Sequence, residues 1–168
     1  ISLSNSDFKL LTRTLSIRME PILNDIISPE QTAYVKGRYI GENIILMSKI
    51  IEICNHENLK GIMLSTDMTK AFDSVDWQYL AKVLKAFGLG ENFVKWVSVI
   101  YNQRIATIRV NGMMDGFFSI QRGILQGDPL SCFLFLIALE PLLRHIEKSP
   151  DLEGIKFRTS AGETVEIR

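Results

Sequence analysis

This sequence of 168 residues contains only two cysteines and two histidines, and it has no excess of charge of either sign. Its 19 basic and 19 acidic residues give a formal net charge of zero. Proteins that bind nucleic acid mainly through charge carry a basic excess, so the balance gives no support for such binding. The two cysteines, Cys54 and Cys132, lie far apart, and neither belongs to a CxxC motif. This usage indicates neither a disulfide framework nor a zinc site, and it is typical of a reduced, intracellular protein.

Long hydrophobic runs are also missing. A membrane-spanning helix needs about 20 apolar residues, whereas the most apolar run, Cys132 to Leu139, is short. No signal peptide opens the chain, and we expect no membrane partner. The sequence begins at Ile1 without a methionine and ends inside an alternating segment, so we expect both ends to be cuts in a longer protein. A hydrophobic share of 46% excludes disordered and collagen-like architectures.

Hydrophobic periodicity predicts helices and short strands in mixed order. Helices are predicted from Asn5 or Ser6 to Asn24, Glu42 to His56, Asp76 to Phe87, Glu91 to Tyr101 and Cys132 to Ile146. Strands are predicted at Gly61 to Asp67, Arg104 to Val110 and Phe117 to Gln121, with a hairpin of Ile155 to Arg158 and Thr164 to Ile167 around Ala161-Gly162. Residues 31–35 are predicted to be irregular or a short strand. Without a strict β–α–β alternation, the α+β class is favoured over a doubly wound sheet.

The segment Asp67-Met-Thr-Lys-Ala-Phe-Asp73 is the first candidate site. Asp67 is predicted to end a buried strand, where a carboxylate is costly unless it is paired or binds a metal ion. Magnesium sites of phosphoryl-transfer enzymes use one or two carboxylates held in this way. The alternative is that Asp67 and Asp73 are ordinary loop carboxylates and Lys70 faces solvent.

The segment from Arg122 to Ser131 is the second candidate. Gly123 and Gly127 allow the backbone to approach a ligand closely, and Gln126 offers a donor and an acceptor. A loop that leads into a helix N-terminus is suited to polyanions. The alternative is a plain helix entry with Asp128 as its cap, and from this segment alone that alternative is favoured.

Together, the two segments resemble known sequences. "STDMTKAFDSVDW", followed by "QRGILQGDPLSCFLFLIALEPLL", resembles reverse transcriptases of non-LTR (LINE-type) retrotransposons. "ISLSNSDFKLLTRTLSIRMEPIL" and "ISPEQTAYVKGRYIGENI" are similar to the fingers blocks of the same family. The four blocks stand in the family's order and cover essentially the whole chain.

The resemblance implies a role for individual residues. Asp67 matches the first catalytic aspartate, a ligand of two Mg²⁺ ions, and the Met68 carbonyl is a further metal ligand. Phe72 matches the aromatic ring beneath the sugar of the incoming nucleotide. The resemblance also implies further nucleotide-binding residues. They are Gln126 and Gly127, in the loop that supports nucleotide and template base, Arg38, which matches a triphosphate-binding arginine, and Lys36, a weaker candidate.

The family completes its metal site with a Tyr/Phe-x-Asp-Asp turn, and this sequence contains no Asp-Asp pair. We therefore expect a partial right-hand polymerase, truncated before that hairpin and without a thumb. Residues 1–59 form the fingers portion and 60–168 the palm portion. The implied function is RNA-directed DNA synthesis from dNTPs on an RNA template and DNA primer, in a ribonucleoprotein of the nucleus or cytoplasm. The alternative is a non-enzymatic, retrotransposon-derived relic or binding module.

Two further expectations concern surfaces. Helical spacing predicts that the aromatic residues Trp77, Trp96, Phe133 and Phe135 are core, and stacking of RNA on Trp96 or Tyr101 is the alternative. In the family, the strand that ends at Asp67 pairs with the catalytic hairpin. Its absence should leave an open strand edge, through which the chain is predicted to self-associate.

Overall fold

The computed structural model describes residues 5–158 and 162–167. In these residues, helices alternate with two separate antiparallel hairpins. The helices are α1 (Ser6–Ile26), α2 (Gly41–Glu57), α3 (Ala71–Ser74), α4 (Trp77–Ala86), α5 (Glu91–Tyr101) and α6 (Pro129–Lys148). The strands are β1 (Ile105–Val110), β2 (Met113–Ser119), β3 (Ile155–Arg158) and β4 (Thr164–Ile167).

The core lies between α1, α4, α5 and α6. Helix α1 packs against α6, and α4 packs against both α5 and α6. The inward residues of α1, Leu15, Met19 and Leu23, recur every four positions and are buried because that spacing lines one helix face. Helices from the predicted fingers and palm portions therefore share one core. The boundary at residues 59 and 60 stays a prediction, and it falls in the irregular segment after α2.

The predicted helices are confirmed, with small shifts at their ends. Helix α1 runs to Ile26 rather than Asn24 and stops just before Ser28-Pro29. Proline disfavours the helical conformation of the residue before it, which accounts for this end. At the start of α4, Asp76 Oδ1 accepts a hydrogen bond of 2.7 Å from the Tyr79 amide. That bond satisfies a backbone donor with no partner inside the helix, so the predicted cap is confirmed.

The first hairpin corrects a strand prediction. Asn111 and Gly112 form its turn with φ values of 50° and 83°, as a two-residue type I′ turn requires. Such a turn starts the return strand at once, so β2 begins at Met113 instead of Phe117 and ends at Ser119. Strand β1 matches its prediction to within a residue.

The second hairpin pairs β3 with β4, and Ile155 lies opposite Ile167 in its register. Both strands match their predictions. Gly162 has a φ of 84°, a conformation suited to glycine at the turn. Its predicted neighbour in that turn, Ala161, lies outside the described residues.

The strand predicted at Gly61 to Asp67 is not formed. These residues have no regular secondary structure and are exposed, with Ile62 at 93% and Leu64 at 82%. A strand needs a neighbour for its backbone hydrogen bonds, and the described strands pair only within their own hairpins. The predicted open strand edge is therefore wrong for this segment. Self-association stays a prediction, and it now depends on exposed apolar side chains.

Helix α6 is, within the described ranges, the one helix long and apolar enough to cross a membrane by length and composition. It packs against α1 and α4, and six of its residues are buried. The core helix of a folded domain has the same length and composition, so this feature is weak evidence for a membrane span.

Candidate active site

The two candidate segments meet in the structure. The Ile124 amide donates a hydrogen bond of 2.8 Å to the Phe72 carbonyl, and the Gly123 amide donates one of 2.8 Å to the Val75 carbonyl. Gln126 Nε2 lies 3.3 Å from Asp73 Oδ1, within hydrogen-bond distance. Residues that are about fifty positions apart in sequence thus form one surface.

Gly123 allows this close approach. Its φ of 94° is a conformation that favours glycine, and an added Cβ would lie 2.9 Å from the Asp73 carbonyl oxygen. The Trp77 indole donates a hydrogen bond of 2.8 Å to the Gly123 carbonyl. The close approach to the Asp73 backbone accounts for a glycine at this position. The bond from Trp77 helps to hold the turn there, a role that helical spacing alone does not show.

Asp67 lies on the irregular segment before this junction and is exposed. It does not end a buried strand, so the argument that burial makes its carboxylate costly does not apply here. Met68 follows it and is half exposed, and its side chain borders an open cleft of about 290 Å³ with Phe135 and Leu142. Asp67 and Met68 are thus both exposed residues beside this cleft.

The fit of a metal site is partial. Carboxylate and carbonyl oxygens are the ligand types that Mg²⁺ prefers, and Asp67 and Met68 carry both. Within residues 5–158 and 162–167, however, no cluster of three or more His, Cys, Asp or Glu side chains could hold an ion. A two-ion site needs carboxylates that hold both ions about 3.5–4 Å apart. The described residues do not supply that set.

Phe72 is the second residue of α3, and the φ of 52° at Lys70 turns the chain into this short helix. Its ring is half-buried and stacks on Phe135 of α6, with centroids 5.0 Å apart and planes 12° apart. The stack fixes the ring next to the Asp67 segment. It suits both interpretations of this residue, a packed core side chain and a rigid surface beneath a sugar.

Gln126 and Gly127 are exposed at the entrance to α6. The next residue, Asp128, accepts a hydrogen bond of 2.9 Å from the Leu130 amide and caps the helix, and Pro129 occupies its first turn. The plain helix-entry interpretation of this loop is therefore confirmed for Asp128. It leaves the side chain of Gln126 free to reach the Asp67–Asp73 segment.

Arg38 and Lys36 lie apart from that junction. The Arg38 guanidinium donates hydrogen bonds to the carbonyls of Ser28 at 2.6 Å, Gln31 at 2.8 Å and Ile27 at 3.0 Å. It thereby holds the loop after α1 in place. Lys36 is exposed and lies 3.6 Å from Glu20, a spacing typical of a weak surface ion pair. Their assignment to the triphosphate stays a prediction, and in this arrangement Lys36 has the freer side chain.

Glu140 is a residue that the sequence analysis missed. Its side chain is fully buried on α6, and Oε1 accepts hydrogen bonds from the Ser28 amide at 3.0 Å, the Ser28 hydroxyl and Arg144 Nε at 2.8 Å. Arg144 also donates a 2.6 Å bond to the Ile26 carbonyl. The sequence signal was a glutamate inside an apolar helix, four residues before an arginine. This network joins α6 to the end of α1 and, through Ser28, to Arg38.

Tyr101 supports the base of the same loop from α5. Its hydroxyl lies 3.4 Å from the Ser131 hydroxyl, and its ring faces Trp77 at a centroid distance of 6.0 Å. Burial raises the pKa of Tyr101, and the Ser131 hydroxyl opposes that shift. Burial also raises the pKa of the Cys132 thiol. Both groups therefore favour their neutral forms in the folded chain.

The prediction that the aromatic residues are core holds for three of the four. Trp77, Phe133 and Phe135 pack against the core. Trp96 does not, because 48% of it is exposed on the outer face of α5. The helical spacing of Trp96 placed it correctly on a helix, but a stretch with apolar residues on several faces does not show which face is inward.

Comparison with known proteins gives the class. The family model described as "Reverse transcriptase (RNA-dependent DNA polymerase)" matches residues 1–159. The chain therefore belongs to the reverse transcriptase family, and the polymerase fingers and palm fold of that family applies to it.

Curated relatives narrow the class to retrotransposon proteins. The chain is 33% identical over 148 residues, or 88% of its length, to the "Transposon TX1 uncharacterized 149 kDa protein" of Xenopus laevis. It is 29% identical over 92% of its length to a "Retrovirus-related Pol polyprotein from type-1 retrotransposable element R2" of Popillia japonica. It covers only 11% and 22% of these two relatives. These relatives are non-LTR retrotransposon proteins, as the sequence blocks predict.

Proposed function

We propose that this chain is part of an RNA-directed DNA polymerase of a non-LTR retrotransposon. The reaction is nucleotidyl transfer from a dNTP to the 3′-hydroxyl of a DNA primer on an RNA template. The observation that carries the proposal is the junction between the two sequence motifs. The hydrogen bonds from Ile124 to Phe72 and from Gln126 to Asp73 bring the two segments with matched nucleotide roles onto one surface.

Each residue on this surface has a proposed task. Asp67 is the catalytic aspartate and, with the Met68 carbonyl, a ligand of Mg²⁺, the cofactor of the complete enzyme. When bound, the ion supplies charge stabilisation for phosphoryl transfer. Phe72 lies beneath the sugar. Gln126 and Gly127 support the nucleotide and the template base, and positioning of this kind accounts for much of the rate of such transfers.

The proposal includes partners and location. Template RNA, primer DNA and dNTP are the partners, and the site of action is a ribonucleoprotein in the nucleus or cytoplasm. The proposed charge contacts to the triphosphate come from Lys36 and Arg38. For Arg38, release from the four backbone carbonyls that it now contacts is part of the proposal.

Sugar selection tests the proposal at Phe72, in a polypeptide that continues this chain through the family's Asp-Asp turn and thumb. If the ring lies against C2′ of the nucleotide, Phe72→Ala relieves a clash with the 2′-hydroxyl. It then raises the kcat/KM for ATP relative to dATP on an RNA template. If the ring serves only as core, a large-to-small change costs about 3–5 kcal/mol and lowers both activities together.

Two controls separate these outcomes. Phe135→Leu removes the stacking partner without opening the sugar position, so it should lower the melting temperature and leave the ATP to dATP ratio unchanged. A Phe72→Ala protein with an unchanged ratio and a lower melting temperature contradicts the sugar assignment. No dNTP incorporation by the unaltered polypeptide contradicts the proposed function itself.

The second candidate function is a binding module without polymerase activity. The exposed, irregular segment 59–68 favours it, because Asp67 has no further carboxylate cluster among the described residues. We expect the 168-residue chain on its own to show no primer extension with Mg²⁺ or Mn²⁺. Incorporation that survives Asp67→Asn would show that the active site lies elsewhere, and incorporation that Asp67→Asn abolishes would confirm the site and refute only the inactivity.

A further inference from the structure

An open groove of about 560 Å³ lies between α1 and α5. Its volume falls in the range of ligand sites, about 300–1,000 Å³. Its floor is mostly apolar, and none of the residues proposed for the polymerase site lines it. The proposed polymerase reaction therefore leaves this groove unexplained.

Trp96 gives the groove an exposed aromatic surface. Trp96 is 48% exposed, so packing within the chain covers only part of the residue. Phe93 lies one helical turn earlier and is half-buried in the same groove. A large aromatic ring open to solvent is costly to leave unpartnered, and it offers a flat surface on which a nucleobase can stack.

Two cations line the same groove, Arg18 on α1 and Lys95 on α5. Both are exposed, and neither forms an ion pair or a side-chain hydrogen bond in the part of the chain that the structure describes. The lining contains no aspartate or glutamate. In a chain of zero net charge, this is a local cationic surface, and its complement is an anionic ligand.

We propose that this groove binds single-stranded nucleic acid, with a base stacked on Trp96 and flanking phosphates paired with Arg18 and Lys95. A duplex hides its bases inside the stack, so it cannot use the indole and the apolar floor. An acidic protein segment would pair with the two cations, but it has no base to stack on the flat indole ring. The site is separate from template binding at the polymerase surface.

Titration of the chain with the labelled oligonucleotides rU8 and dT8 tests the proposal by fluorescence anisotropy. Trp96→Ala should weaken binding about tenfold or more, the loss of one base–aromatic stack. Two phosphate contacts predict that raising the salt from 50 to 200 mM weakens binding by about 7-fold, from a slope near −0.7 per contact on single strands. Arg18→Gln with Lys95→Gln should remove that salt effect.

Matched controls exclude loss of folding and binding elsewhere. Lys82→Gln with Lys85→Gln changes two exposed cations on α4 outside the groove and should leave both affinity and salt dependence unchanged. Trp96→Phe keeps a stacking ring, so it should retain binding and lose the indole fluorescence quenching that rU8 causes.

Weaker binding of either rU8 or dT8 by the Trp96→Ala protein supports the site. The oligonucleotide that the unaltered chain binds more tightly identifies the preferred type of strand. Unchanged affinity of folded Trp96→Ala and Arg18→Gln with Lys95→Gln proteins would overturn it. Equal binding of an RNA duplex would also overturn it. Indole emission that changes with protein concentration and no oligonucleotide would assign the groove to a second copy of the chain instead.

Discussion

Removal of the Glu140 carboxylate should destabilise the folded chain strongly, because this group connects two packed helices. Glu140 has a fully buried side chain, and one of its oxygens accepts three hydrogen bonds, two from Ser28 and one from Arg144. In Glu140→Ala these donors lose their acceptor inside the protein. Breaking a buried charge pair by removing one partner costs about 3–5 kcal/mol. Because the Arg144 side chain is 42% exposed and stays hydrated in the variant, we expect the lower end of that range, about 3 kcal/mol.

The magnitude is large on the scale of a domain of this size. A domain of 150–250 residues loses about 2–4 °C of melting temperature for each kcal/mol. At about 3 kcal/mol, Glu140→Ala should therefore lower Tm by about 6–12 °C. Glu140→Gln keeps the shape and one acceptor oxygen but loses the charge, so it should cost about 1.5–3 kcal/mol, the value of a hydrogen bond to a charged group.

Urea unfolding at pH 7 measures these effects against a matched control. Glu52 forms an exposed ion pair with Lys49, and solvent screens such pairs, so Glu52→Ala should leave the free energy of unfolding nearly unchanged. In a double-mutant cycle, Arg144→Ala should cost less in the Glu140→Ala protein than alone, because the shared interaction is already gone. Equal losses for Glu140→Ala and Glu52→Ala would refute the network as a source of stability.

Three further predictions follow from the junction and its support. Gly123→Ala should lower the free energy of unfolding by about 2–5 kcal/mol, because φ is positive and the added Cβ clashes with the neighbouring backbone. The control Gly112→Ala has a similar φ but open space around it, so it should cost only about 1–2 kcal/mol. Equal losses in urea unfolding would refute the close approach at Gly123. Burial raises the pKa of Tyr101 in the folded state. The stability that this residue contributes is therefore present below the unfolded pKa near 10 and falls as pH rises through the folded pKa. Tyr101→Phe should flatten the alkaline part of a stability–pH profile, and an unchanged slope would contradict this. The raised pKa of Cys132 predicts slower modification by a thiol reagent at pH 8 than that of a free cysteine peptide, and equal rates would show that burial does not protect it.

Local signals predicted most of the helices and turns. Asp76 caps α4, and Asn111-Gly112 forms the tight turn of the first hairpin, because capping and turn chemistry act within a few residues. The hairpin of β3 and β4 is found for the same reason. The segment 61–67 failed because a strand depends on a partner elsewhere in the chain, which its own residues do not reveal.

The candidate site shows the same division. The motif residues predicted that Asp67, Phe72 and Gln126 belong together, and the structure brings the Phe72 and Gln126 segments into contact. It could not be predicted that Arg38 binds backbone carbonyls or that Glu140 is buried. The burial of Glu140 depends on the packing of α1 against α6, in which hydrogen-bonded partners are up to 118 positions apart in sequence. The Arg38 contacts depend on how the loop after α1 folds back on itself, which the residue types in that loop do not reveal.

Primer extension is the most direct test of the proposed polymerase. The measurement is dNTP incorporation on an RNA template, with Mg²⁺, by a polypeptide that continues this chain through the Asp-Asp turn and thumb. Asp67→Asn should lower kcat by about 100-fold or more, the scale of losing one preorganised electrostatic group. The control Asp151→Asn changes an exposed aspartate after α6 and should keep full activity. Equal activity of Asp67→Asn and the unaltered polypeptide would contradict the account.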